Sequence, residues 1–144
     1  MTGFTENKAF PGVRLDLVSG VPAYRQIIDQ VTGGMAAGYL KPGDQLPTVR
    51  QMAVDLSINP NTVMRAYREL EIRGILETQQ GTGTFISAQK VDAAPFERQR
   101  QLNQLICEFA AKAGAGGFTI QELVDQLLDL KADGGSNNNK KGKR

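Results

Sequence analysis

Arg50, Asn61, Arg65 and Arg68, followed by the turn Gly81-Thr82-Gly83, are the residues of this chain whose types and spacing could do chemistry. Asparagine and arginine side chains carry paired hydrogen-bonding groups that match adenine and guanine edges, and arginine also matches phosphate. Glycines at a turn permit positive φ and close approach of backbone to a ligand. This is the chemistry of recognition, not of bond-making. The chain has no histidine and a single cysteine, Cys107, so a zinc site and a histidine-based catalytic triad both lack materials. No carboxylates converge and no nucleophile motif is present. The Gly81-Thr82-Gly83 turn is not a phosphate-binding loop, because no Lys-Ser/Thr pair or helix start follows it. The expectation is a protein that is not an enzyme and uses no metal and no cofactor.

These residues must be held by the elements around them. Thr48 suits an N-cap, Gln51 stands three residues on as its reciprocal partner, and Pro47 blocks extension backwards, so a helix opens at this point with Val49, Met52, Ala53 and Leu56 inward. Asn59 as N-cap and Pro60 at the first helical position open another helix after a gap of a few residues around Ser57. On a helical wheel Val63, Ala66, Tyr67 and Leu70 share its inner face. Asn61, Arg65 and Arg68 stand opposite, with Thr62, Met64 and Glu69 at the flanks. Gly74 stops this helix. Leu76 to Gln79 and Thr84 to Ser87 then read as two short strands around a glycine-bearing turn. Two capped helices in quick succession with a hairpin beside them form the layout of a winged helix-turn-helix, whose commonest use is reading duplex DNA.

Each candidate residue also has a plainer reading. Asn61 and Arg65 could form only a solvated helix face, although the tight corner ahead of them favours contact with bases. Arg50 lies near a helix N-terminus, where a cation opposes the helix dipole; a phosphate or guanine contact accounts for it, and so does an exposed arginine tolerated at small cost. Thr48 caps, and the amides beside it can anchor a phosphate. The wing glycines serve either an ordinary hairpin turn or close approach to DNA.

The remainder of the chain frames this centre. Residues 1–20 read as an arm, with an extended piece at Val13 to Leu17. From Pro22 the spacing of Tyr24, Ile27, Ile28, Val31 and Met35 predicts a helix ended by Gly38, and Gly33 and Gly34 inside it make it dependent on packing. Tyr24 and Met35 read as core. After a boundary near Gln89 to Pro95, Leu102, Leu105, Ile106 and Phe109 mark an amphipathic helix, with Cys107 on or near its apolar stripe as a small buried hydrophobe. The segment Ala113 to Gly117 breaks that helix. Thr119 and Glu122 form a capping box for a last helix with Leu123, Val124, Leu127 and Leu128 as its stripe. The tail, 134–144, is polar, basic and expected to be disordered.

The net charge of +2 does not by itself announce a nucleic-acid binder, since Lys140, Lys141, Lys143 and Arg144 outweigh it and leave the rest of the chain net negative. The case rests on where the cations lie. No membrane span or signal sequence is read, and the single cysteine fits a reducing cytoplasm. The near-neutral charge supports a rival reading, a winged helix used for protein–protein interaction without specific DNA binding.

Taken together, VPAYRQI, LKPGDQLPTVRQMA, INPNTVMRAYRELEIRG and QGTGTFI resemble the DNA-binding domain of the GntR family of bacterial transcriptional regulators, from about Val21 to Ser87. The short C-terminal segment and the Asn-Pro-Asn-Thr-Val start are most similar to its YtrA-type branch, in which a small helical appendage serves dimerisation. The resemblance implies DNA-facing positions at Arg50 and from Asn59 to Arg65, with the wing glycines near the minor groove. Pro60, Met64 and Thr82 depart from relatives that often carry cations there. The fold expected is mainly α with a small β-hairpin wing. It comprises an arm (1–20), a winged helix-turn-helix (21–88), a helical dimerisation segment (89–133) and the tail. The function expected is a sequence-specific transcriptional regulator, a cytoplasmic homodimeric repressor on a palindromic double-stranded operator, with no effector ligand named. Its DNA-binding residues would be Thr48, Arg50, Asn59, Asn61, Thr62, Arg65, Arg68, Gly81, Thr82 and Gly83. The stripes of the last two helices would pack across the twofold.

Overall fold

Local chemistry at the helix ends and apolar surface between them set the elements of this chain. The computed structural model describes residues 12–88 and 94–136, the last with side chains through 131. The start of the arm, the centre of the connection after residue 88 and the basic tail beyond residue 136 lie outside the described residues. The chain divides into two compact units, Met1–Gln89 and Lys90–Arg144.

In the first unit the order is α1 (Ala23–Ala37), β1 (Gln45–Leu46), α2 (Val49–Leu56), α3 (Pro60–Ile72), β2 (Leu76–Gln79) and β3 (Gly83–Ile86). The three strands form an antiparallel sheet in the order β1-β3-β2. In the hairpin Leu76 faces Ile86 and Gln79 faces Gly83, while Leu46 of β1 faces Thr84. The fold is the mainly helical winged architecture expected, with one strand more. Two residues carry no readable alternation, so β1 had no signature of its own.

The core forms where α3 meets its neighbours. Val63, Ala66, Tyr67 and Leu70 bury the inner face of α3 against Ile27, Ile28 and Val31 of α1 and Met52 and Ala53 of α2, with Leu46, Leu76 and Ile86 closing it from the sheet. Thr48 caps α2 through its hydroxyl, which accepts from the Gln51 amide at 3.1 Å. Gln51 does not reciprocate as expected: its side chain turns forward to Asp55, at 2.7 Å. Asn59 caps α3 by accepting from the Asn61 amide at 2.8 Å. Between the two helices Ser57 takes the left-handed conformation (φ 54°) that turns the chain.

The arm is held by side chains instead of a strand partner. The Gln30 amide accepts from Arg14 N at 2.8 Å and donates to Arg14 O, and Gln26 does the same for Asp16 at 2.7 and 2.8 Å. Two glutamines one turn apart on α1 thus stand in for a neighbouring strand, while Val13 is buried and Leu15 half-buried.

The second unit is a helical hairpin, α4 (Pro95–Ala115) and α5 (Ile120–Ser136). The Thr119–Glu122 capping box forms in both directions, at 2.7 and 3.2 Å. The helix α4 continues through Gly114 before it turns, and α5 runs through Gly134 and Gly135 to Ser136, so the polar tail is helical at its start. Cys107 is exposed, which corrects the expectation of a buried thiol. Its helix turns apolar side chains toward no core of its own, and Ala113 is the one buried residue of the unit's described part.

Gly34 lies inside α1, where glycine is unfavourable by about 1 kcal/mol. The packing explains it: a Cβ there would stand 2.7 Å from Tyr39 Cε2 and 2.9 Å from Leu40 Cδ1. Gly33, beside it, has open space within 4 Å. Gly33→Ala should therefore stabilise the protein by about 0.5–1 kcal/mol. Gly34→Ala should destabilise it, because overpacking of about 1–3 kcal/mol outweighs the same gain. Denaturant unfolding checks this, and equal stabilisation by both would contradict the packing argument.

Candidate nucleic-acid interface

The outward face of α3 and the beginning of α2 carry the candidate residues, and one buried hydroxyl fixes the two helices against each other. Tyr67 lies on the inner face of α3 and donates its hydroxyl to the Pro47 carbonyl at 2.6 Å, just ahead of the Thr48 cap. Burial pushes this hydroxyl well above the usual phenol range, so it remains a neutral donor at any physiological pH. Helical period places Tyr67 in the core but does not by itself give its bond. The signal was present: a tyrosine among Val, Ala and Leu on a buried face must satisfy its hydroxyl somewhere.

With α2 so placed, Arg50 projects from its first turn and is exposed. No carboxylate pairs with it among the described residues, whereas Arg25 and Arg73 are paired to Asp29 and Glu69 on their own helices. On α3 a shallow groove is lined by Asn61, Met64, Arg65 and Arg68. Arg68 likewise has no carboxylate partner among the described residues. Arg65 is engaged differently: its guanidinium lies 3.8 Å from the centroid of the Tyr24 ring. Tyr24, at the start of α1, is only half-buried, with its inner edge against the core and its ring under Arg65. This cation–π contact restrains Arg65 at the α1 side of the face without neutralising its charge. Sequence spacing could not pair residues so far apart.

The other expected positions divide by what already occupies them. The side-chain oxygens of Thr48 and Asn59 serve as caps, so their donor groups are what remains for a ligand. Thr62 is half-buried in the first turn of α3. Gly81 and Thr82 are exposed at the wing tip. Gly83 has a reason within the fold: at φ 138° a Cβ would stand 2.5 Å from the Gln45 side-chain nitrogen. That nitrogen donates to the Thr82 carbonyl at 3.2 Å. Gln45 thereby braces the wing tip from β1, a role that sequence reading did not assign.

Arg65, Arg68 and Asn61 at one groove of α3, with Arg50 exposed on α2, can grip phosphate and read base edges. Among the described residues no cluster of His, Cys, Asp or Glu could hold a metal, and no helix is long and apolar enough to cross a membrane.

Comparison with known proteins agrees with this geometry. Residues 23–86 match the family described as bacterial regulatory proteins, gntR family. The chain is 39% identical over 132 residues to the HTH-type transcriptional repressor YtrA of Bacillus subtilis, across 88% of this chain and 98% of that protein. It is 51% identical over 122 residues to an HTH-type transcriptional regulator of Mycobacterium tuberculosis, across 84% and 95%. Among solved structures it is similar to YtrA from Sulfolobus acidocaldarius, a GntR-family transcription factor. The TM-score is 0.53 and the identity 32%, over 69% of this chain and 97% of that one.

The Tyr67 hydroxyl is the most testable element of the site's support. Tyr67→Phe leaves the Pro47 carbonyl without its donor and should destabilise the protein by about 1–3 kcal/mol. Denaturant unfolding measures it, and an unchanged midpoint would remove the hydroxyl from the account.

Proposed function

We propose that this chain, which belongs to the gntR family of bacterial regulatory proteins, represses transcription in the cytoplasm as a homodimer seated on a palindromic operator. It is a sequence-specific DNA-binding transcriptional regulator and not an enzyme. In this reading α3 lies in a major groove, where Asn61, Arg65 and Arg68 meet base edges and phosphates, assisted by Thr62 and the Asn59 amide group. Arg50 and the amides beside Thr48 hold the backbone, and Gly81, Thr82 and Gly83 bring the wing to the adjacent groove. The observation that carries the reading is the set of arginines without a carboxylate partner among the described residues, Arg50, Arg65 and Arg68, on the two helices that Tyr67 ties together. A cation near the N-terminus of α2 opposes the helix dipole, and a phosphate there offsets that cost.

The dimer is supported by what the second unit leaves uncovered. Leu102, Leu105, Ile106 and Phe109 of α4 are exposed, as are Val124, Leu127 and Leu128 of α5, with Leu105 at 64%. Leu123 is half-buried. Each such side chain stands to gain about 1 kcal/mol on burial, and a second copy presents the same stripes. A twofold arrangement also matches an operator of two related half-sites.

One set of measurements tests both parts. Arg50→Ala and Arg65→Ala should each weaken operator binding by about 1–3 kcal/mol at fixed salt. Binding of the unaltered protein should fall linearly in log–log form as salt rises. Salt-independent binding, or full affinity in both variants, would overturn the DNA-facing assignment. Replacing Leu105, Phe109, Leu123 and Leu127 together by glutamine should give monomers in sedimentation, with amide-exchange protection of α3 retained. A dimer that persists would overturn the twofold assignment.

A further inference from the structure

Met64 breaks the polarity of the surface to which it belongs. It shares the α3 groove with Asn61, Arg65 and Arg68, and it is 44% exposed. It does not belong to the buried cluster or to the apolar residues packed against that cluster. At 100° per residue, Asn61 and Arg68 occupy the middle of the outward face. Arg65 falls to one side, where the Tyr24 ring receives it, and Met64 falls to the other.

Asparagine and arginine can satisfy the polar groups of base edges, and a thioether cannot. Guanine O6 and N7, adenine N6 and N7, and cytosine N4 would each lose water against Met64 and gain no hydrogen bond in exchange. The major groove offers one apolar group among the four standard bases, the C5-methyl of thymine. An unbranched, polarisable side chain with freely turning bonds suits contact with such a group.

We propose that Met64 is a specificity-determining residue that packs against the C5-methyl group of a thymine in each half-site. This rests on the reading of α3 as the recognition helix. Met64 follows Asn61 by three residues, about 4.5 Å along the helix axis. Asparagine pairs best with adenine. The half-site should therefore contain an A·T pair read by Asn61 and a thymine read by Met64 within one or two steps of it. A 5-methylcytosine carries the same methyl group, and the test separates the two bases.

Operator duplexes are first selected from a randomised pool with the full-length protein. Each thymine of a half-site is then replaced singly by deoxyuridine, which removes the methyl group and nothing else. Affinities are measured at fixed salt for the unaltered protein and for Met64→Gln, whose side chain keeps the length and carries a polar end. One thymine per half-site should show about fourfold weaker binding as deoxyuridine, the worth of one buried methyl group. Met64→Gln should bind the two duplexes equally, with its melting temperature unchanged. Tolerance of deoxyuridine at every thymine, or discrimination that persists in Met64→Gln, would overturn the proposal while leaving α3 as the recognition helix. Tighter binding to 5-methyldeoxycytidine than to thymine at that position would also overturn it, assigning the contact to a methylated cytosine. Failure to select any duplex would remove the recognition-helix reading and this proposal together.

Discussion

Everything that α3 can present outward depends on what it buries. Val63, Ala66 and Leu70 bring dispersion and apolar burial, which hold the helix down but say little about its rotation or its height against α2. The Tyr67 hydroxyl supplies the missing direction. Its bond to the Pro47 carbonyl joins the buried inner face of one helix to the half-buried residue preceding the cap of the other. A buried hydroxyl left without its acceptor is costly, so α2 and α3 have one relative placement that satisfies both packing and polarity. Arg50, Asn61 and Arg68 inherit their mutual geometry from it.

The candidate surface carries few charges. Its arginines are not neutralised by neighbours among the described residues, although the chain does pair arginines elsewhere, as Arg25–Asp29 and Arg100–Glu97 demonstrate. The Arg100 guanidinium holds the Glu97 carboxyl below its ordinary range, so α4 spends that cation locally. On α3 the corresponding restraint is an aromatic ring under Arg65, which orders the side chain and leaves its charge available. Ordering a long side chain before binding lowers the entropy lost on association. Few cations, well placed, are thus a coherent alternative to a broadly basic surface.

How much of this was legible in the sequence follows from the range of each interaction. The caps at Thr48, Asn59 and Thr119 use atoms within three residues, and residue order alone located them. The inner face of α3 follows from helical period. The capping pattern allows Gln51 to return to its cap, yet Asp55 one turn ahead offers a carboxylate in place of a backbone amide. The devices joining distant residues left no local trace: the two-residue strand β1, the glutamine pair that holds the arm, the Gln45 brace and the ring beneath Arg65. Cys107 shows the same limit from the other side. It stands beside an apolar stripe, and an apolar stripe is buried only where something covers it.

The central claim is that the surface held by Tyr67 reads a major groove, and that the uncovered stripes of α4 and α5 make the protein do so twice. A base-methylation protection footprint on a selected operator tests it most directly, because guanine N7 lies in the major groove. The account predicts two protected patches related by twofold symmetry on one face of the duplex, with centres about 34–36 Å or a multiple of that apart. A single patch, or protection confined to the minor groove, would contradict it.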